Sequence, residues 1–441
     1  MNGEQHSFVT RLLRRTAKVE PAETTAVVTA FLLYFCVLGG YFAVRPVRET
    51  VGTVMGAERV ADAWVITWIV SIAIVPIYGA LASRFRRSTF LPWIYGFVAI
   101  SLAICALLLR SVESAPAVGQ FFYVFISVVN LFVVSVFWSF LLELFNANQT
   151  KRLFGIMAAG GTTGALVGPM LTDLTVGRIG NSGVLFLGAS MFVIAILCQR
   201  VLLRIWRNAA WAGTGERAEE RPIGGNPFAG FTLVLRSPYL LGIALFVVLL
   251  ASVNTFLYLQ QLRIVTDTFP DIETRTQVFS RIDYTVQSLT VILQLLFTGR
   301  LALRFGVGIL LTAVPVLMVL GLLLLASFHS FGVLAAVMIA RRVGEYAFVR
   351  PGREMLFSRV DTETKYKAKN TIDVPVYRGG DALSSQVETG LVSGGMPLTG
   401  VAVLGAAVAA VWAVVGFMLG RARRDQEAEP PREPSVAGVG R

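Results

Sequence analysis

The chain has 441 residues, 55% of them hydrophobic and only 15% charged, with a mean hydropathy of +0.67. Soluble domains carry about 25% charged residues, and apolar stretches of about 20 residues, long enough to cross a hydrocarbon core of ~30 Å, recur along the whole length. This excludes an ordinary soluble enzyme and predicts an all-α polytopic membrane protein.

In chain order, the first 22 residues hold no long apolar core, so Met1–Ala22 reads as a retained cytoplasmic segment. Its stretch "FVTRLLRRTAKV" is either a basic interfacial helix or a solvated tail. Twelve predicted spans follow, at 25–46, 60–83, 89–109, 118–144, 153–174, 182–203, 238–262, 276–299, 307–328, 331–349, 371–392 and 397–420.

With the N-terminus placed in the cytoplasm, 28 of the 39 Lys and Arg residues fall in cytoplasmic loops, seven in outer loops (Arg45, Arg48, Arg59, Arg110, Arg178, Arg263 and Arg275) and four inside spans. That split obeys the positive-inside rule and supports twelve spans with both termini cytoplasmic. A basic rim facing anionic lipid accounts for the net charge of +12, with no nucleic acid required.

The longest polar interruption, 204–237, is Gly-, Glu- and Arg-rich in its middle and apolar over Phe228–Leu235, which reads as a membrane-surface segment. The predicted organisation is an N-terminal segment (1–22), a six-helix bundle (23–203), a cytoplasmic linker (204–237), a second six-helix bundle (238–420) and a disordered tail (421–441). The halves echo each other. "GALASRFRRS" at 79–88 and "GRLALRFGVG" at 299–308 are 220 residues apart, and "KRLFG" at 151 and "KAKNT" at 367 open spans five and eleven. Two parallel six-helix repeats are the design of the major facilitator superfamily, whose loop motif the segment after span two resembles, with Ser83 in place of the usual aspartate.

Polar side chains inside spans need a reason, because a charge at bilayer depth is costly unless it faces a cavity or a partner. Pro46 lets the first helix end or kink near Arg45, Arg48 and Glu49, and these charges either snorkel to the interface or line a cationic entrance. Ser127, Asn130, Ser135, Ser139 and Glu143 mark the fourth span. The fifth reads "GIMAAGGTTGALVGP"; its Gly155, Gly164, Gly168 and Pro169 resemble an antiporter motif, although close helix packing by small residues is the simpler reading. Asn254, Tyr258 and Gln261 share a face of the seventh span, and Asp283, Gln287, Thr290 and Gln294 share one of the eighth.

In the tenth span Arg341 and Glu345 stand one turn apart, with Arg342 adjacent. They form either an interhelical lock or part of a substrate lining. Arg378 and Asp381 are one turn apart in the eleventh.

Cys36, Cys105 and Cys198 read as small buried hydrophobes, and His6 and His329 lie too far apart for a metal site. The sequence carries no Ser-His-Asp set, phosphate-cradling Gly-Lys-Ser/Thr loop or Cys-x-x-Cys, so neither a catalytic residue nor a cofactor is expected.

Three segments resemble the bacterial and plastid ATP/ADP translocases, nucleotide exchangers of the major facilitator type. Arg45, Arg48-Glu49 and Gly56-Ala57-Glu58 stand where that family has an Arg, a Lys-Asp pair and a Gly-Ala-Glu. "FVRPGREMLFSRVDTETKYKAKNTIDV" (348–374) is similar to its Asp-Pro-x-Lys-Glu-Met and Lys-rich signatures through Pro351, Arg353, Glu354, Met355, Lys365, Lys367, Lys369, Ile372, Asp373 and Val374, with Arg378 beyond. "SPYLLGIALFVVLLASVN" (237–254) is similar to its seventh span.

The departures are also specific. A fourth-span acid falls at Ile126 or Ser127, a seventh-span acid at Leu257 and a lysine at Gln261, while Arg263 keeps the next basic position. Arg350 and Asp381 reverse the family's charge. The resemblance thus implies the fold first and the substrate second.

Together these readings imply an alternating-access transporter in the bacterial inner membrane, in contact with membrane lipids and carrying a small anionic substrate such as ATP or ADP. Arg45, Arg48, Arg341, Arg342, Arg353 and Arg378 are the expected anion contacts. Glu49, Asp283, Gln287, Glu345 and Asp381 are the expected gating or coupling residues. A proton-coupled exporter or lipid carrier of the same superfamily is the alternative. So is a non-transporting membrane subunit whose basic 350–369 loop docks a soluble cytoplasmic partner.

Overall fold

The structure is a computed structural model that describes residues 19–84, 87–109, 116–208, 229–360 and 362–428. The "FVTRLLRRTAKV" segment up to Lys18, the Gly/Glu/Arg-rich middle of the linker and the tail beyond Ala428 lie outside the described residues.

The chain is all-α. The helices are α1 (Thr24–Met55), α2 (Ala57–Arg84), α3 (Arg87–Leu108), α4 (Pro116–Leu144), α5 (Ala147–Asn208), α6 (Ala229–Arg236), α7 (Pro238–Thr268), α8 (Ile272–Leu293), α9 (Gly299–Ser327), α10 (Phe331–Gly344), α11 (Arg350–Leu356), α12 (Thr362–Thr371), α13 (Tyr377–Ser393) and α14 (Leu398–Ala428). α5 is two helical segments divided at Gly180 (φ 65°), and α9 breaks at Gly306 (φ 74°). Both breaks need a left-handed backbone that glycine adopts without a Cβ clash. Counted this way, each of the twelve predicted spans has its helix among the described residues.

Seven helical stretches among the described residues are long and apolar enough to cross a membrane. α3 shows how they meet lipid. Trp93, Phe97, Ile100 and Ile104 recur at helical spacing and are exposed, while Leu91, Tyr95, Val98, Leu102 and Cys105 on the other face are buried. An exposed aromatic and aliphatic stripe beside a buried one is the pattern of an integral membrane protein with multiple spans. α8, α10 and α13, which carry Asp283, Arg341, Arg342, Arg378 and Asp381, fall outside the apolar set.

The first helix departs from expectation. Pro46 neither ends nor kinks it into a loop. α1 runs on through Thr50, whose hydroxyl donates to the Pro46 carbonyl at 3.1 Å, and stops at Gly56 (φ 82°). Neighbouring helices let an intramembrane helix tolerate the hydrogen bond proline removes. Arg45 and Arg48, assigned above to an outer loop, are therefore helical residues. At the other end, α14 continues eight residues into the predicted tail.

The helices pack into two compact units. The first comprises the described residues of Met1–Gly225 with Tyr258–Ser288 and Ala382–Gly394; the second comprises the described residues of Asn226–Leu257, Leu289–Asp381 and Gly395–Arg441. Segments of α7, α8 and α13 thus pack with the first half of the chain.

Within the first unit, α1 against α5 is the most extensive helix pair. A Cβ built at Gly160 or Gly164 would lie 2.3 Å from the Phe31 or Phe35 carbonyl oxygen, and one at Gly168 would lie 2.5 Å from the Gly39 oxygen. The glycine run of span five therefore serves close backbone approach. A reciprocal Asn146/Gln149 capping box starts α5. Glu23 is buried and held there by Arg152 at 2.8 Å and Gln149 at 2.9 Å.

In the second unit, α6 packs its Gly230 on α12, where a Cβ would meet the Lys367 oxygen at 2.5 Å. In the first unit, Asp271 caps the start of α8 by accepting from the Thr274 amide and hydroxyl, and these bonds hold its carboxyl below the usual range.

Candidate functional site

Two charged clusters occupy the interior, one in each unit. In the first, helical spacing on α1 puts Arg45 and Glu49 one turn apart, with Arg48 beside them. Arg45 reaches Glu49 at 3.7 Å and Asp283 of α8 at 3.4 Å. Arg48 pairs with Glu49, donates to the Ser127 hydroxyl at 3.2 Å and lies over the Tyr123 ring at 5.3 Å from its centroid. Tyr258 of α7 donates to Glu49, shares a 2.7 Å bond with the Tyr123 hydroxyl, and the Trp64 indole donates to that hydroxyl at 2.9 Å.

Two arginines thus meet two buried carboxylates, and every member named has a protein partner. These side chains are engaged inside the bundle rather than snorkelling to the interface. Ser127, one of the two positions at which the resemblance places a fourth-span acid, is thus a partner of Arg48. Gln287, one turn along α8 from Asp283, is half-buried.

The second cluster is built on irregular helix. Three π turns, Gln294–Thr298, Glu345–Val349 and Ile372–Val376, interrupt the helices of the second unit that carry charge. π turns are rare and concentrate at functional positions. The first two face each other: Gln294 donates to the Tyr346 carbonyl at 3.0 Å and Thr298 to the Ala347 carbonyl at 2.9 Å. At the start of the second turn, Glu345 accepts from Arg341 at 3.0 Å and Arg350 at 3.3 Å. Arg342 is buried beside them.

Arg353 pairs with Asp373 at 2.9 Å, Lys369 with Glu354 at 2.7 Å, and Arg378 with Asp381 at 3.8 Å. The π turn explains Arg350. In an α-helix a residue five positions on lies about 140° round the axis. Here the Arg350 amide bonds the Glu345 carbonyl, and the wider turn returns both side chains to one face.

The predicted residues therefore separate. Arg45, Arg48, Glu49 and Asp283 form one group, and Arg341 with Glu345 the core of another. Arg378 and Asp381 form a looser pair, and Arg353 is engaged by Asp373. Sequence reasoning missed four features: Tyr123 as a hydroxyl relay, Arg350 as a third cation, the π turns, and a buried pair in which Arg263 of α7 holds the wholly buried Glu388 of α13 with both nitrogens. Glu388 carried a signal, an acid one turn beyond Ser384 and Ser385, and Arg263 was assigned to an outer loop. The π turns carried none. Among the described residues, no group of His, Cys, Asp and Glu is arranged to hold a metal ion.

The fold is that of the major facilitator transporters. The chain superposes on the nucleoside transporter NupG with a TM-score of 0.62 at 16% identity, covering 91% of this chain and 99% of that one. It superposes on the POT family transporter PepTSo with a TM-score of 0.63 at 12% identity, covering 92% and 99%. For a bacterial homologue of the human lysosomal transporter Spinster, in an inward-facing and unoccupied conformation, the TM-score is 0.59 at 13% identity, covering 93% and 100%.

In sequence, the chain is distantly similar to ADP,ATP carrier proteins. It is 23% identical over 438 residues to ADP,ATP carrier protein 1 of Chlamydia trachomatis serovar D, covering 84% of this chain and 82% of that protein. The figures are the same for the Chlamydia muridarum protein of that name. No family model matches the chain. The chain thus has the fold of the major facilitator transporters and a distant sequence likeness to ADP,ATP carrier proteins.

Proposed function

We propose that this protein is a transporter that exchanges phosphate-bearing anions, nucleotides first among them, across the bacterial inner membrane by alternating access, with both termini in the cytoplasm. The carrying observation is that one carboxylate serves two cations: Glu345 accepts from both Arg341 and Arg350, with Arg342 next in sequence to Arg341, while Arg353 is taken up by Asp373.

An arginine at bilayer depth costs about 2.5–3.5 kcal/mol on insertion scales, and a simple lock would set one carboxylate against one cation rather than against two. Guanidinium forks bind phosphate oxygens two at a time. The distant likeness to ADP,ATP carriers points to the same substrate class. Under this reading the balanced Arg45–Glu49–Asp283 network is a gate, and the second cluster, with Arg378 and Asp381 beside it, receives the anion.

Purified protein in liposomes preloaded with ADP should take up labelled ATP, and ATP should raise the melting temperature of the detergent-solubilised protein. No exchange and no shift with any nucleotide, alongside a shift with an anionic lipid, would replace nucleotides by lipid as the cargo.

A further inference from the structure

We infer that Glu345 is a built-in competitor for the anion site: its carboxylate occupies the Arg341–Arg350 clasp until a substrate phosphate displaces it. The inference rests on the proposed anion transport and assigns one residue the control of its affinity and release.

Three observations carry it. First, Glu345 is the shared acceptor of two arginines, at 3.0 Å from Arg341 and 3.3 Å from Arg350, one α turn before it and one π turn after. Two guanidinium groups converging on one carboxylate present the donor set that a phosphate takes.

Second, the clasp is buried on one side and open on the other. The Arg341 and Glu345 side chains are 7% and 9% exposed, while Arg350 is 57% exposed and lies over the Tyr346 ring at 4.5 Å. An incoming anion meets Arg350 first. The buried Arg341 Nε has no hydrogen-bond partner among the described residues, so Arg341 has donor capacity beyond what Glu345 uses.

Third, the contact with Arg350 exists through the π turn Glu345–Val349, whose neighbouring carbonyls accept from Gln294 and Thr298 rather than lying idle. A side chain placed on its partner by a rare turn is held by local geometry that costs free energy. A plain surface ion pair would not need it.

The role is that of a tethered anion. While Glu345 fills the clasp, its charge offsets that of the buried Arg341 and leaves one positive charge over, and the empty carrier stays folded. When phosphate enters, Glu345 yields its bonds; when it returns, it drives release. A merely structural brace predicts the opposite response to mutation, because loosening the brace would weaken binding.

The test compares wild type, Glu345→Gln and Glu345→Asp as full-length proteins in detergent, titrated with ATP, ADP and inorganic pyrophosphate by thermal shift and calorimetry. Glu345→Gln keeps shape and removes the competing charge. It is expected to melt lower when empty, to bind at least one of these anions tenfold or more tighter than wild type, and to show KM and kcat falling together in exchange assays.

Should Glu345→Gln fail to fold, Glu345→Asp, with its carboxylate drawn back from Arg350, is expected to bind several-fold tighter. Wild-type binding with equal or weaker binding by the variants overturns this inference and leaves the proposed substrate class standing. No binding by wild type or variants overturns both.

Discussion

The Tyr258 hydroxyl on α7 donates to the Glu49 carboxylate on α1, although 209 residues separate them. The bond joins the first half of the chain to a segment of the second inside one compact unit. Glu49 also neutralises Arg45 and Arg48, so it is the node of the network. Glu49→Gln is expected to cost about 3–5 kcal/mol, the range for breaking a buried pair and stranding its partner. Tyr258→Phe removes one hydrogen bond and should cost about 1–3 kcal/mol. Thermal melts of the purified variants check the order, and equal losses would contradict the nodal role of Glu49.

Arg341 is the buried half of the second clasp. Arg341→Gln should abolish anion exchange, a loss of at least a hundredfold in rate, while membrane insertion and expression stay near wild type. Transport at the wild-type rate by this variant would remove Arg341 from the site.

Arg263 and Glu388 form a buried pair whose desolvation offsets much of its attraction. Arg263→Met alone leaves Glu388 charged and buried, and should lower the melting temperature sharply. Arg263→Met with Glu388→Leu should recover most of that loss. A double variant as unstable as the single one would show that the pair does more than satisfy itself.

Two glycines of the same helix should behave oppositely. Gly164→Leu drives a side chain into the Phe35 carbonyl of α1 and should prevent folding, seen as loss of a monodisperse peak. Gly155→Ala meets nothing within 4 Å and should be neutral or slightly stabilising, because alanine is the better helix former. Destabilisation by Gly155→Ala would indicate a close neighbour at that position.

How much could be read from the sequence differs by element. The twelve hydrophobic segments were legible, because the period and length of an apolar helix follow from bilayer thickness and the 3.6-residue turn. The Arg341–Glu345 contact was legible for the same reason, since it lies within one helix at a spacing of four. So was the packing role of the span-five glycines. Pro46 misled the reading, because proline's rule for isolated helices ignores the neighbours that support α1.

Sequence by itself therefore determined what the solvent dictates: apolar helices, their number, and the local charge pairs that one helix repeat brings together. Tertiary structure alone decided which distant charges meet. Tyr258 reaches Glu49, Asp283 reaches Arg45, and Arg263 reaches Glu388 only through helix packing, on which spacing along the chain is silent. It also decided where the helix repeat fails. The π turn that swings Arg350 onto Glu345 costs local backbone energy that only surrounding contacts, such as those from Gln294 and Thr298, offset.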